Sequence, residues 1–510
     1  MFDKDDPNRI LNFRPLLFMA VGLLSGVLLF ETLAGFCAKK IALIPIAAGL
    51  FVLAASGAAI LLVKKKTAIF LFLTAFAVGV IRMFFATPDG VETGNYSLSG
   101  TVSSVSEIGS SSVIVDGVRL NGRRLRYPVR LCVTSDGAQL PSVGDSVSAD
   151  VFVEKDFSGH SEGNRRNLSN GYSFSAKCVS FETSATGGMK LKRLILSVRS
   201  AIKNRIFELF PDNAATVSGF LLGDRSEIDY DELESFRITG TAHLLSLSGF
   251  HVGVLAGLLT AIFPRRFRKL RFIFIVLFLA AYCAVAAFPP SLVRASIMTA
   301  AVLLADLFDR RRDPMSSLSL AAIVIVLVSP YELWSVGFRL SFAAMLGIIL
   351  FAEIGTVNSR SRAVNRITGT IAVTFSALLA TALITARCFG YVNTYSIPAN
   401  IIAVPVYSAA IVMSFSMLVL SFPFPTLAGF VSWAPDKLIG GAQKMLSFIA
   451  NLPYARIDVT RPPAVSGFLM LLLLFIISPY VLRPIKKRLI AAIPVLILFT
   501  LSLVLSIIKA

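Results

Sequence analysis

Runs of roughly twenty apolar residues recur along most of the chain, each long enough to cross a bilayer core as a helix. Three come first, at 16–36, 41–63 and 67–85, separated by Lys39 and Lys40 and then by Lys64, Lys65 and Lys66. The longer lysine run is the cytoplasmic one by the positive-inside rule, which puts the amino terminus inside and delivers residue 88 outside. The pattern then changes. From 88 to 189 the chain is polar, rich in Ser and Gly, and alternates with period two. Segments 96–105, 112–120, 124–134, 145–154 and 172–181 are predicted as short strands, with turn signals at Asp116-Gly117, Asn121-Gly122, Asp136-Gly137 and Val143-Gly144-Asp145. Five strands with no helix among them suit a small OB-type barrel, whereas an immunoglobulin-like sandwich would want more strands.

Residues 190–240 are predicted as interfacial helices. The first, over 190–212, is basic and amphipathic, with Leu191, Leu194, Ile195, Val198, Ile202, Ile206 and Leu209 on one stripe. A second hydrophobic block fills 241–510, with spans at 241–263, 272–288, 291–308, 315–329, 332–354, 368–386, 397–422, 463–482 and 489–508. Basic clusters after alternate spans, such as Arg265, Arg266 and Arg268 or Arg310, Arg311 and Arg312, mark the cytoplasmic ends. Keeping that alternation requires one more crossing between 423 and 462. The helix at 427–452 is the candidate, although it carries Asp436, Lys437 and Lys444. Those charges predict that it lines a polar cavity; the alternative is a surface-lying helix and one span fewer. The expected fold is a polytopic α-helical membrane protein of about 12–13 spans with an inserted extracellular OB-like β-barrel. Its parts are 1–87 (three spans), 88–189 (the barrel), 190–240 (interfacial helices) and 241–510 (the second membrane domain), with residues 88–240 and the carboxyl terminus extracytoplasmic.

Composition agrees. Of 510 residues 55% are hydrophobic and 15% charged, and mean hydropathy is +0.74; soluble domains carry about 25% charged residues. Lys+Arg 49 against Asp+Glu 30 gives a net charge of +19. That excess either fixes orientation or also attracts a polyanion. Residues 89–190 hold ten basic and eleven acidic side chains, so the surplus lies in membrane loops and span ends, where orientation explains most of it. The five cysteines show no metal-ligand spacing and there are three histidines, so neither a metal centre nor a cofactor is expected. Leu33-Ala34-Gly35-Phe36-Cys37 has an extra residue for a lipoprotein signal and reads as an uncleaved anchor. Cys132 and Cys178 fall in different predicted strands of an extracellular domain, making them a candidate disulfide.

Polar groups within or beside spans carry the candidate chemistry, because their insertion must be offset by a partner or by water. Four clusters stand out: Gly223-Asp224-Arg225-Ser226; the string from His243 through Ser246, Ser248, Gly249 and His251 to Gly253; Pro290-Ser291 with Arg294; and Arg339 with Ser341 and Phe342. If 241–263 is one helix, His243 and His251 stand about 80° apart around it, with Ser248 between them. Three readings follow. Helix packing through Ser246, Ser248, Gly249 and Gly253 is one, and a pore lining is another. The third is a Ser/His hydrolase that recruits Asp224 or Asp306, without a nucleophile elbow in its favour. Arg294 and Arg339 either snorkel to the interface or pair with Asp306 and Asp224. In the barrel, Arg123, Arg124, Arg126 and Arg130 surround Tyr127, a pattern that suits single-stranded nucleic acid but also an ordinary solvated strand face.

The four clusters, together with Leu221-Leu222-Gly223-Asp224-Arg225-Ser226, the His-Leu-Leu-x-x-Ser-Gly-x-His-Val-Gly string at 243–253, Pro290-Ser291-Leu292-Val293-Arg294-Ala295, Arg310-Arg311-Arg312-Asp313-Pro314 and Phe338-Arg339-Leu340-Ser341-Phe342, closely resemble the ComEC family of bacterial DNA-uptake channels. The resemblance implies a multi-pass protein of the bacterial cell membrane that passes single-stranded DNA to the cytoplasm during natural transformation. Asp224, Arg225, His243, Ser246, Ser248, Gly249, His251, Gly253, Arg294, Arg339, Ser341, Asp436 and Lys437 would then line the path. It further implies a separate DNA receptor, and homo-oligomers fit the same picture. An ATP-driven motor is expected on another chain, since no phosphate-loop motif occurs here. Many members carry a metallo-β-lactamase-like nuclease domain. This chain has no His-x-His-x-Asp-His motif and stops at Ala510, so it resembles the shorter form, with the nuclease on another polypeptide. The competing classes are the intramembrane hydrolase and a small-solute transporter; against the latter, the two hydrophobic blocks show no inverted repeat.

Overall fold

The computed structural model describes residues 14–34, 50, 67–88, 90–106, 112–133, 141–156, 161–184, 190–247, 249–263, 265–351, 361–478 and 484–508. The expected span at 41–63 lies outside them, as do Cys37 and Ser248. Five described helices are long and apolar enough to cross a membrane, and four shorter apolar helices accompany them. The chain is a multi-pass membrane protein with an inserted β-barrel. It divides into two compact units, one of residues 15–201 and 319–335, the other of 1–14, 202–318 and 336–510.

In the first of these units, α1 (Pro15–Ala34) packs along α2 (Thr67–Ala86). Glycine permits the contact. A Cβ on Gly22 would collide with the Phe72 carbonyl, one on Gly26 with that of Phe76, and one on Gly79 with that of Leu23. Small residues four apart let helix backbones touch where lipid supplies no hydrophobic drive to associate. The barrel follows, built of β1 (Gly94–Ser106), β2 (Ser112–Leu120), β3 (Arg123–Arg124), β4 (Val129–Val133), β5 (Ser146–Asp156) and β6 (Phe174–Ser184). The strand order β1-β5-β6-β4-β2 closes through a β1–β2 pairing, and β3 extends β2. All pairs are antiparallel except β4–β6. Alternate residues such as Val147, Ala149, Val151 and Val153 fill the interior, as period-two patterning requires.

Three expectations need correction here. The polar region contains a helix, α3 (Glu162–Ser169), capped by the Ser161 side chain, which accepts from the Asn164 amide at 3.1 Å. The strand expected at 124–134 is broken around Pro128 into β3 and β4. Cys132 and Cys178 are free thiols. In the parallel β4–β6 register Cys132 stands opposite Lys177 and Cys178 opposite Val133. The two cysteines therefore sit at positions of opposite facing, and their sulfurs contact Ser175 Oγ at 3.5 Å and Ser180 O at 3.4 Å respectively.

The second unit contains the remaining helices. They run through α4 (Lys190–Leu209, shared between the units), α5 (Ala214–Leu222), α6 (Tyr230–Ile238), α7 (Gly249–Ile262), α8 (Arg268–Val285), α9 (Pro290–Leu307), α10 (Pro314–Val328, also shared) and α11 (Val336–Phe351). There follow α12 (Arg362–Phe389), β7 (Tyr391–Asn393), α13 (Ser396–Leu420), α14 (Pro425–Val431), α15 (Trp433–Ala450), β8 (Arg456–Asp458), α16 (Ala464–Ile477) and α17 (Ile485–Ile508). One core gathers the end of α4, all of α5, and inward residues of α6, α13, α14 and α15 around Phe220, Phe236 and Tyr407. A second joins α7, α8 and α9 through Val252, Ile275, Leu279, Leu292 and Ala295. Leu244 and Leu245 belong to the first core and Leu247 to the second, so the short segment between them joins the two.

Candidate functional site

The longest motif of the site is not one helix, as the sequence predicts, but half turn and half helix. Thr241–Leu247 is a run of turns, and helix α7 begins only at Gly249. Local bonds hold the turns: Leu244 N to Thr241 O at 2.9 Å, Ser246 N to His243 O at 3.3 Å, and the Ser246 hydroxyl to the same carbonyl at 2.7 Å. A serine side chain that donates to a nearby carbonyl competes with helix formation. His243 and His251 therefore do not share a helix. His243 is exposed, with Nδ1 3.3 Å from Gly240 O, whereas His251 is 2% exposed on the inward face of α7. Gly253 is on the opposite, open face, where an added Cβ would meet nothing within 4 Å.

The four clusters adjoin in a continuous chain of contacts. Helix α5 ends at Gly223, whose φ of 71° is left-handed and favours glycine. A Cβ there would also come within 3.2 Å of Leu247. Arg225 Nε donates to Leu245 O at 3.2 Å, tying the first cluster to the turn segment. The Ser291 hydroxyl donates to Leu247 O at 2.6 Å and brings in the start of α9. Arg294, one turn further, directs Nη2 to within 3.5 Å of where a Cβ on Gly249 would stand. Its Nη1 donates to Ser341 O, and its guanidinium lies 6.0 Å from the Phe342 ring. Phe342 stacks on Phe338 with centroids 4.1 Å apart. Arg339 is half-buried in the first turn of α11.

Arg294 is 8% exposed, between Leu292 and Ala295 on the buried side of α9. It does not snorkel, and no carboxylate among the described residues pairs with it. The two acids expected as partners are committed elsewhere. Asp306 accepts both Nε and Nη2 of Arg312, at 2.8 and 2.7 Å. Asp224 accepts Lys203 Nζ at 3.0 Å, the Ser226 amide at 3.1 Å and its hydroxyl at 2.6 Å. Burial pushes the Asp224 carboxyl up, but the Ser226 and Lys203 bonds outweigh it and hold the group at about 2 against an ordinary 3.8. A carboxyl lowered on folding stabilises the fold above its ordinary range and loses that contribution as pH falls through its folded value. Asp224→Asn is therefore expected to flatten the fall in melting temperature between about pH 4 and pH 2. Thermal unfolding of wild type and variant across that range checks it, and parallel curves would contradict it.

Asp436 and Lys437 occupy a separate place. Asp436 is 3% exposed; Asn213 Nδ2 donates to its carboxylate at 2.7 Å and to its carbonyl at 2.9 Å. Lys437 pairs with Asp212 at 2.7 Å. One turn and two turns on, Gly440 underlies Asn213 and Gln443 donates to Thr216 at 2.9 Å and Glu232 at 2.6 Å. The polar stripe of α15 is thus met by α5, α6 and the turn before α5. An open cleft of about 260 Å³ remains beside it, lined by Asp231, Glu232, Ser235, Gln443, Lys444 and Ser447 among others. Asn213, Thr216 and Glu232 were not legible in the sequence because their meeting with α15 joins segments more than 200 residues apart.

In the barrel, Arg126 donates to Phe85 O and Tyr127 Oη to Ala86 O at 2.5 Å, so this pair caps the end of α2. Tyr127 also meets Tyr331 edge-on at 6.5 Å. Arg130 lies 5.8 Å over the Tyr172 ring. Arg123 and Arg124 are exposed on β3. The sequence reading missed Glu31 altogether. It is 1% exposed in α1 and accepts Arg165 Nε at 2.8 Å; a carboxylate inside an apolar run was the available signal. Among the described residues no three His, Cys, Asp or Glu side chains gather as a metal site would require.

A family model described as "Competence protein" matches residues 220–484, just over half of the chain and all four clusters. The chain belongs to the competence protein family. It is 30% identical over 304 residues to ComE operon protein 3 of Bacillus subtilis, covering 58% of this chain and 38% of that one. It is 27% identical over 206 residues to Recombination protein 2 of Haemophilus influenzae, covering 37% and 26%. An uncharacterized Aquifex aeolicus protein is 26% identical over 232 residues, covering 45% and 54%. The chain thus spans between about a quarter and about a half of the curated relatives it matches. No solved structure matches it significantly.

Proposed function

We propose that the chain is a membrane channel that passes single-stranded DNA toward the cytoplasm during natural transformation. The observation that carries this reading is the contact chain from Asp224 to Phe342. Motifs scattered over some hundred residues meet around a buried arginine that has no acidic partner among the described residues, inside the region the family model matches. Structural arginines in membrane helices are ordinarily paired, and one left cationic suits a polyanion. Membership of the competence family and the barrel's exposed Arg123 and Arg124 support the same reading. On this account the membrane domain guides and neutralises the strand and has no chemistry of its own, so a DNA receptor, a nuclease and a motor act with it. The hydrolase alternative is weaker: Ser246 donates to a backbone carbonyl, and Asp224 and Asp306 are held by Lys203 and Arg312. Deleting the gene in a transformable host and measuring internalised single-stranded DNA tests the proposal. Loss of internal DNA that the cloned gene restores is expected; unchanged uptake would end it.

A further inference from the structure

The environment of Arg294 is poor in acceptors, and that imbalance has a chemical meaning. The guanidinium is held by one carbonyl, Ser341 O, and faces the Phe342 ring. Its buried Nε has no acceptor among the described residues, and neither has the buried hydroxyl of Ser341, the residue whose carbonyl holds it. Taking an unpaired cation out of water costs several kcal/mol unless an anion joins it. Beside Nη2 stands the start of α7, at Gly249. The first amides of a helix have no intrahelical acceptor, and the helix dipole makes that end positive. Glycine there leaves the backbone open to close approach.

We propose that Arg294 and the first turn of α7, with the Ser341 hydroxyl, form a seat for one phosphodiester anion. A guanidinium offers paired donors that match two phosphate oxygens, and helix N-termini bind phosphate by their free amides. Two sources carry this chemistry, the backbone of a transported strand and a phospholipid headgroup. The inference rests on the transport reading for the first source only.

The test uses the purified full chain in dodecyl maltoside at about 0.15 M salt, where a Debye length of about 8 Å weakens binding by exposed arginines. Three probes are compared: a short oligothymidylate, the same oligomer with neutral methylphosphonate linkages, and phosphatidylglycerol, with anisotropy and thermal stabilisation as readouts. Arg294→Gln is expected to weaken oligothymidylate binding about tenfold or more, as loss of a buried charge contact does. Arg294→Lys is expected to restore part of it, and the neutral oligomer to be indifferent to all three side chains. Gly249→Leu crowds the seat while leaving the arginine in the chain and is expected to act like Arg294→Gln. Gly249→Ala places its methyl at an ordinary 3.5 Å and is expected to bind as wild type. If Arg294→Gln does not fold, Gly249→Leu and Arg294→Lys make the same comparison. Oligothymidylate binding unchanged, with phosphatidylglycerol stabilisation lost in the variants, supports the seat and assigns it to lipid. Equal responses of wild type, Arg294→Gln and Gly249→Leu to every probe overturn it. Should gene deletion leave DNA uptake intact while phosphate binding still depends on Arg294, the transport reading fails and the seat stands.

Discussion

Replacing Gly22 by leucine is expected to force α1 and α2 apart and to destabilise their unit by about 3 kcal/mol, the upper range for overpacking. The reason is that the obstacle is backbone. A side chain in the way can turn aside, but the Phe72 carbonyl that a Cβ on Gly22 would strike can move only with its helix. Gly26 repeats the contact one turn later against Phe76, and Gly79 makes the reciprocal one against Leu23, so the seam has no slack along its length. Gly26→Leu should therefore behave alike, while Leu28→Ala, on the exposed side of α1, should leave the transition in place. Thermal unfolding in nanodiscs provides the measurement. A Gly22→Leu protein that melts with wild type would show that the two helices do not associate through this seam.

Arg165→Ala is expected to cost about 3–5 kcal/mol, because it removes the arginine that is ion-paired with the buried Glu31 carboxylate near the end of α1. The arginine comes from α3, its Nε 2.8 Å from Glu31 and its guanidinium 5.3 Å over the Trp334 ring. The value of the pair lies less in attraction than in the penalty each charge would bear alone. Hence the double variant Glu31→Gln, Arg165→Gln should recover most of the loss, since it removes both charges together. A melting cycle of the four proteins tests this. If Arg165→Ala and the double variant fall equally far, the pair is not coupled.

What the sequence could and could not disclose follows from the range of the forces involved. Period-two alternation marked the barrel strands to within a few residues, because alternate side chains there fill one closed interior. Apolar runs located most of the described helices, down to the turn between α8 and α9, but the run at 241–263 overshot the start of its helix by eight residues. The sequence also pointed to the four clusters, since polar residues amid apolar ones are conspicuous. It did not reveal that the histidine string is half turn and half helix. That outcome depends on Ser246 bonding its neighbour's carbonyl, a local choice invisible to hydropathy. Helix α3 escaped for the opposite reason, being almost wholly polar and betrayed only by its Ser161 cap. Pairings across long separations were the least legible. Asp436 with Asn213, Glu31 with Arg165 and Asp224 with Lys203 each join residues whose proximity only the fold decides. The cysteine pair fails on register, which a count of cysteines does not contain.

The central claim is that a single DNA strand passes along the site built from these clusters. Contact with the moving strand is the direct observable. A photo-crosslinking amino acid in place of Gly253 fits without displacing a neighbour, since that face of α7 is open. The same group in place of Leu277, an exposed apolar position on α8 outside the four clusters, serves as the off-path control. Labelled transforming DNA is given to cells carrying each variant, which are irradiated during uptake. The account predicts adducts to single-stranded DNA at 253 and none at 277. No adduct at 253, or equal adducts at both positions, would contradict it.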